Sequence, residues 1–117
     1  MKLLIVGSRS ITDYDISPHI PAETELIISG GANGVDTLAE KYADKHRISK
    51  LIMRPQYKLY HRGAPLKRND RMVELCDKAL VFWDGVSRGT KHTIDYTKKL
   101  GKPIEVIVVP QTERSRS

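Results

Sequence analysis

Three glycine-bearing turns, each directly following an apolar run, concentrate the residues of this chain that could do chemistry. Lys2–Val6 runs into Gly7-Ser8-Arg9-Ser10, and Leu26–Ser29 runs into Gly30-Gly31-Ala32-Asn33-Gly34-Val35-Asp36. Ala79–Trp83 runs into Asp84-Gly85-Val86-Ser87-Arg88-Gly89-Thr90-Lys91. A strand, a glycine turn and then a helix present backbone N–H groups to an anion, above all a phosphate. Any one of these turns also reads as an ordinary tight turn. Three of them in a βαβ rhythm imply one anion-binding crevice at the carboxyl ends of the strands.

Within that crevice the residue types suggest roles. Gly30 and Gly31 remove side chains where a phosphate or ribose approaches the backbone, so a side chain at Gly31 is expected to block binding; Gly34 relieves crowding where the helix begins. Ser8 and Arg9 stand at the tip of the first strand, placed to grip a phosphate; a structural ion pair is the alternative for Arg9. Asp36, in a first helical turn, either accepts from a ribose hydroxyl or satisfies orphan N–H groups. Arg68 and Asn69 offer a charged fork beside an amide, suited to a phosphate and a base edge. Ser87, Gly89 and Thr90 make a second cradle, with Arg88 and Lys91 adding positive charge. Gly7, Ala32, Val35, Asp84 and Gly85 complete the candidate ligand-binding set, being parts of the same turns. Tyr57 and Tyr60 are candidates for stacking on a base, whereas Phe82 and Trp83 read first as sheet packing. His61 and His92 have no metal-ligand spacing, His46 reads as a helix-surface or core residue, and no nucleophile stands beside a base. The prediction is no metal, no cofactor and no assigned catalytic residue.

The charge points the same way. Of a net charge of +6, the connection from Arg54 to Arg71 holds +5, with Arg54, Lys58, Arg62, Lys67, Arg68 and Arg71 against Asp70 alone. A uniformly basic surface would suit nonspecific nucleic-acid binding; cations confined to one connection suit a local anionic ligand, or else a solvated loop. With 39% hydrophobic and 29% charged residues, the 117-residue chain reads as an ordinary globular protein. No signal peptide or spanning segment is visible, which predicts a cytoplasmic protein away from membranes. The single Cys76 excludes an intramolecular disulfide and reads as buried filler.

The elements that must position these turns alternate. Strands are expected at about 2–6, 25–29, 50–54, 79–83 and 103–109. Between them come a weak helix or turn at about 11–19, closed by Pro18 and Pro21, and helices at about 34–46, 66–77 and 89–100. The helix over 34–46 carries Val35, Leu38, Ala39, Tyr42, Ala43 and His46 on one stripe; the helix over 66–77 turns Leu66, Met72, Val73 and Cys76 inward. A-L-V-F-W at 79–83 is the continuous apolar run of a central parallel strand. The reading is one domain over residues 1–110 with a flexible tail at 111–117. Its predicted fold is a Rossmann-like three-layer α/β/α sandwich with a parallel five-stranded sheet, order 3-2-1-4-5.

Two familiar nucleotide signatures are absent: the first turn has one glycine rather than G-x-G-x-x-G, and there is no G-x-x-x-x-G-K-[ST]. Instead, G-S-R-S at 7–10, S-G-G-A-N-G-V-D at 29–36, R-N-D-R-M at 68–72, D-K-A-L-V-F-W-D-G-V-S-R-G-T-K-H-T-I at 77–94 and G-K-P at 101–103 occur in order. In these pieces the chain resembles the SLOG superfamily of Rossmann-like nucleotide-ligand domains, and most closely its YspA branch, over nearly all of residues 1–109. DNA-processing DprA proteins look similar at S-G-x-A-x-G-x-D and R-N, and the cytokinin-activating LOG phosphoribohydrolases are more distantly similar. The LOG resemblance places Gly89-Thr90 on that family's G-T and Arg68 on its arginine, but its hydrolytic glutamate falls on Thr93. Threonine supplies no carboxylate to stabilise an oxocarbenium-like ribose or to move a proton.

The expectation is therefore a binding domain for a small nucleotide-derived anionic ligand (a nucleotide, an ADP-ribose-like molecule or a related signal), acting as sensor, carrier or sponge. The alternatives are a nucleotide N-glycosidic or phosphoribosyl hydrolase, which would need Asp36 or Asp84 as its carboxylate, and DprA-like nucleic-acid binding. The resemblance also implies assembly as a homodimer or tetramer.

Overall fold

The computed structural model describes residues 1–110; the expected tail over 111–117 lies outside the described residues. Five strands, Lys2–Gly7 (β1), Leu26–Ser29 (β2), Ser49–Ile52 (β3), Lys78–Trp83 (β4) and Ile104–Val108 (β5), form one sheet in the order β3-β2-β1-β4-β5. Every neighbouring pair is parallel. The helices are Val35–Lys45 (α1), the single turn Tyr57–Tyr60 (α2), Ala64–Leu75 (α3) and Arg88–Lys99 (α4). This is the α/β, Rossmann-like architecture expected from the sequence.

The layering follows from alternation along β1. Leu3 and Ile5 point to one face, where they meet Ile27, Leu80, Phe82 and the Val35, Ala39 and Ala43 stripe of α1. Leu4 and Val6 point to the other, where they meet Ile28, Val81, Met72 and Val73 of α3, and Ile94 of α4. A strand covered on both faces must be apolar throughout, and the four central residues of both β1 and β4 are buried. The edge strand β3 can be polar, and three of its four residues are exposed.

Local chemistry sets the element ends. Helix α4 stops at Gly101, whose φ of +69° suits glycine. The Gly101 amide donates to the Lys98 carbonyl at 3.0 Å and the Lys102 amide to the Thr97 carbonyl at 3.2 Å, closing the last turn. Lys102 Nζ then reaches back to the carbonyls of Val73, Glu74 and Cys76 at 2.7–2.9 Å, tying the end of α3 to the start of β5.

Four expectations need correction. The segment over 11–19 is irregular apart from a 3₁₀ turn at Ser17–His19, because Asp15 takes the Ser17 amide and hydroxyl and Ile11 and Ile16 bury themselves singly. Helix α3 starts at Ala64, two residues early, with Pro65 in its first turn where no N–H is missed; it ends at Leu75, with Cys76 extended. Leu66 is exposed rather than inward, because Arg68 and Asn69 take the buried side of that turn. His46 lies past the end of α1, exposed and stacked on Tyr42.

The junction of β1 and β4 allows no side chain at Gly7: a Cβ there would stand 2.3 Å from the Phe82 carbonyl oxygen and 2.6 Å from Val35 Cγ2. Gly7→Ala is expected to cost about 1–3 kcal/mol or more through overpacking, read as a lower urea midpoint. Gly89→Ala, whose Cβ would meet nothing within 4 Å, should leave stability unchanged or raise it by up to about 1 kcal/mol.

Candidate functional site

In a sheet of this order the chain leaves β1 in one direction and β4 in the other, which opens a crevice beyond their carboxyl ends. A cleft of about 480 Å³ lies there, within the range of small-ligand sites. The loop after β1 supplies Gly7, Ser8, Arg9 and Ser10; the loop after β2 and the start of α1 supply Ala32 and Asp36. Helix α3 contributes Pro65, Leu66, Arg68 and Asn69, and the β4–α4 turn contributes Asp84, Ser87, Gly89 and Thr90. Residues from all three glycine turns thus share one wall-to-wall space, with Arg68 and Asn69 beside them.

The remaining candidates lie elsewhere. Gly30, Gly31 and Tyr57 line an adjoining groove of about 280 Å³, which shares Arg9, Ala32 and Arg68 with the cleft. Val35 is wholly buried in the core, and Gly34 is buried at the start of α1, where a Cβ would strike the backbone of Ser8 and Arg9. Gly85, Arg88 and Lys91 do not line the cleft. Lys91 instead pairs with Asp95 at 2.6 Å along the exposed side of α4.

Two clasps fix the loops. The first is Asp84. Its Oδ1 accepts from the amides of Val86 and Ser87 at 2.9 and 2.8 Å, and its Oδ2 from the hydroxyls of Ser87 and Ser10 at 2.6 and 3.3 Å. Desolvation alone would raise this carboxyl, but the bonds from Ser87 and Val86 outweigh it and hold Asp84 well below the usual carboxylate range. The Asp84 amide donates to Ser8 Oγ at 3.0 Å, and the Ser8 amide to the Phe82 carbonyl at 3.0 Å. Ser8, 1% exposed, is therefore a tie between two loops rather than a free phosphate grip. The D-G-V-S order, an aspartate closing a turn on the serine three residues later, was the signal for this role.

The second clasp is Arg68, 9% exposed. Its Nη1 donates to the carbonyls of Gly30 at 2.6 Å and Met53 at 3.3 Å, and its Nε to Asn69 Oδ1 at 2.7 Å. Burial pulls the guanidinium below its ordinary value, and the charge of Asp36 opposes that. A Cβ on Gly30 would fall 2.6 Å from Arg68 Nη1, and one on Gly31, at φ +71°, 2.7 Å from Arg54 Nη1. The glycine pair thus makes room for two guanidinium groups, where the sequence suggested room for a ligand. A side chain at Gly31 would be strained by its φ as well as blocked.

Against these clasps, two features face the cleft with unspent capacity. Helix α4 has no side-chain cap, since Ser87 Oγ is committed to Asp84, and its first turn meets the cleft at Gly89 and Thr90. Asp36, 4% exposed, accepts the Ala32 amide through Oδ2 at 3.1 Å, while its buried Oδ1 has no hydrogen-bond partner. Burial drives this carboxyl up to about 6, against the Ala32 amide and the Arg68 charge that pull it down. By contrast Thr93 is wholly buried, its hydroxyl bonded to the Gly89 carbonyl at 3.2 Å, and it does not line the cleft. His92 pairs with Asp70 at 2.8 Å, and among the described residues no cluster of three or more His, Cys, Asp or Glu could hold a metal ion. No described helix is long and apolar enough to cross a membrane.

Asp36 gives the site a pH signature. Its folded value of about 6 lies above its ordinary 3.8, so the folded state holds the proton more tightly than the unfolded chain. The stabilisation from that proton is fully present below about pH 4 and is lost as pH rises through about 6, a change of roughly 3 kcal/mol. Asp36→Asn should flatten this part of the stability–pH curve and raise stability at pH 7, measured by urea unfolding across pH 4–8.

No family model matches the chain. It is similar to the Gene 61 protein of Mycobacterium phage D29, with 28% identity over 116 residues that cover 88% of this chain and 93% of that protein.

Proposed function

We propose that this chain is a binding domain for a small nucleotide-derived anionic ligand, serving as a sensor, carrier or sponge. The observation that carries the reading is the uncapped start of α4 at Gly89 and Thr90, which lines the same cleft as the exposed Arg9. A helix N-terminus with its amides unspent attracts a phosphate, and a guanidinium strengthens the contact. Asp36 lines the same cleft, and its Oδ1, buried and without a donor, becomes an acceptor for a sugar hydroxyl when the side chain turns toward the ligand. The ordered motifs that resemble SLOG domains support the same ligand class and bring with them assembly as a homodimer or tetramer.

Turnover is the second reading, and one observation favours it. Asp84 is consumed by its turn, which leaves Asp36 as the cleft carboxyl with a free oxygen and a raised proton affinity. Such a group fits a general acid acting on an N-glycosidic bond. With Thr93 buried away from the cleft, no second carboxylate with a free oxygen stands opposite it, and the binding reading is preferred.

Calorimetric titration with nucleoside monophosphates and ADP-ribose, run beside an assay for released free base, tests both readings. Wild-type protein should bind at least one of them with no release of base. Gly89→Leu, which places a large side chain in open space at the start of α4, should keep the fold and weaken binding by roughly tenfold or more. Base release that is lost in Asp36→Asn would establish the hydrolase. Absence of nucleotide binding, with salt-sensitive binding of single-stranded DNA, would replace both with a nucleic-acid interface.

A further inference from the structure

The cleft does not end at Arg68. That side chain is also part of the adjoining groove, which contains Arg9, Arg54 and Tyr57, and of a smaller niche of about 90 Å³ containing Arg54, Tyr60, Lys67 and Arg71. Cleft and groove share Arg9 and Arg68; groove and niche share Arg54 and Arg68. Five cations therefore border one continuous surface, and no carboxylate lines the groove or the niche.

None of the five makes an ion pair among the described residues. Arg68 is answered by Asp36 and by three acceptors, but Arg54 Nη1 reaches only the Gly31 carbonyl at 3.4 Å, and Lys67 Nζ sits 5.9 Å from the centre of the Tyr60 ring. Cations gathered there with no carboxylate among the lining residues favour the arrival of an anion. Gly31 is built for it as well, since its positive φ and missing side chain are what let Arg54 lie against the end of β2.

We infer that the groove and niche form a second phosphate subsite, bordered by Arg54, Lys67 and Arg71, for a nucleotide that carries two phosphate groups on separate positions of its sugar. The inference rests on the proposed nucleotide reading: one phosphate lies at the start of α4, and the second lies beyond Arg68. Arg54 and Arg71 are exposed, so they can be removed without opening the core, unlike Arg68.

The test is calorimetric titration of wild-type protein and the Arg54→Ala/Arg71→Ala double variant with adenosine and guanosine 5′-monophosphates and the matching 3′,5′-bisphosphates. At least one bisphosphate should bind wild-type protein roughly tenfold or more tightly than its monophosphate. The double variant should lose that advantage while keeping its monophosphate affinity. Equal affinities in wild-type protein, or equal weakening of both ligands in the variant, would overturn the subsite while leaving the nucleotide reading intact. If neither class binds, the subsite fails, and if ADP-ribose does not bind either, the nucleotide reading fails with it. A single-stranded oligonucleotide that binds with steep salt dependence and is lost in the double variant would then assign the cationic surface to nucleic acid.

Discussion

The arrangement of the site depends on one buried guanidinium. Arg68 crosses from α3 to the ends of β2 and β3, where the carbonyls of Gly30 and Met53 have run out of strand partners. A buried carbonyl without a donor is costly, and a buried cation without acceptors is costlier. Each solves the other's problem, and Asn69 completes the set through Nε. The solution dictates sequence some distance away: Gly30 must lack a side chain because Arg68 Nη1 occupies its place. It also dictates geometry, since holding β2, β3 and α3 together in this way sets the boundary between the cleft and the groove beside it.

Asp84 does for the other side of the cleft what Arg68 does for this one. Three hydrogen bonds fold the β4–α4 turn around its carboxylate, and the Ser8 and Ser10 hydroxyls fasten that turn to the end of β1 and the loop after it. In consequence Ser87 is unavailable as a cap and α4 begins with its amides open to the cleft. The clasp and the uncapped start of α4 are thus one construction. Both sides of the cleft are therefore held by satisfied polar groups rather than by loose loops.

The architecture was legible in the sequence because burial leaves a plain trace. The continuous apolar run at 79–83 read as a central parallel strand, and the 3.6-residue stripe of α1 named its buried Val35, Ala39 and Ala43. Glycine turns after β1, β2 and β4 placed the cleft, since the parallel order brings those ends together. What was not legible were roles set by partners distant in sequence. Arg68 read as a fork for a ligand, because a ligand-facing guanidinium and one buried on carbonyls as distant as that of Gly30, 38 residues away, carry the same local signal. Misreading Arg68 also misplaced Leu66, because on α3 only one of the two can occupy the inner side of that turn. Gly30 and Gly31 signalled that something approaches the backbone, but glycine does not say whether the visitor is a ligand or a side chain.

Asp36 is the one polar group of the cleft that the fold leaves worse off than water would. Its Oδ1 is buried without a donor, although the Arg68 guanidinium lies close enough for its charge to stabilise the carboxylate. A site selected only for stability would turn that oxygen to an amide or replace the residue by an apolar one, since neither Val35 nor Ala39 on the same helix needs a charge there. Keeping an ionisable group in such a position stores unfavourable energy in the folded protein. Arg68 and Asp84 hold the walls still, and Asp36 carries the one unmet hydrogen-bond demand among the buried side chains that line the cleft.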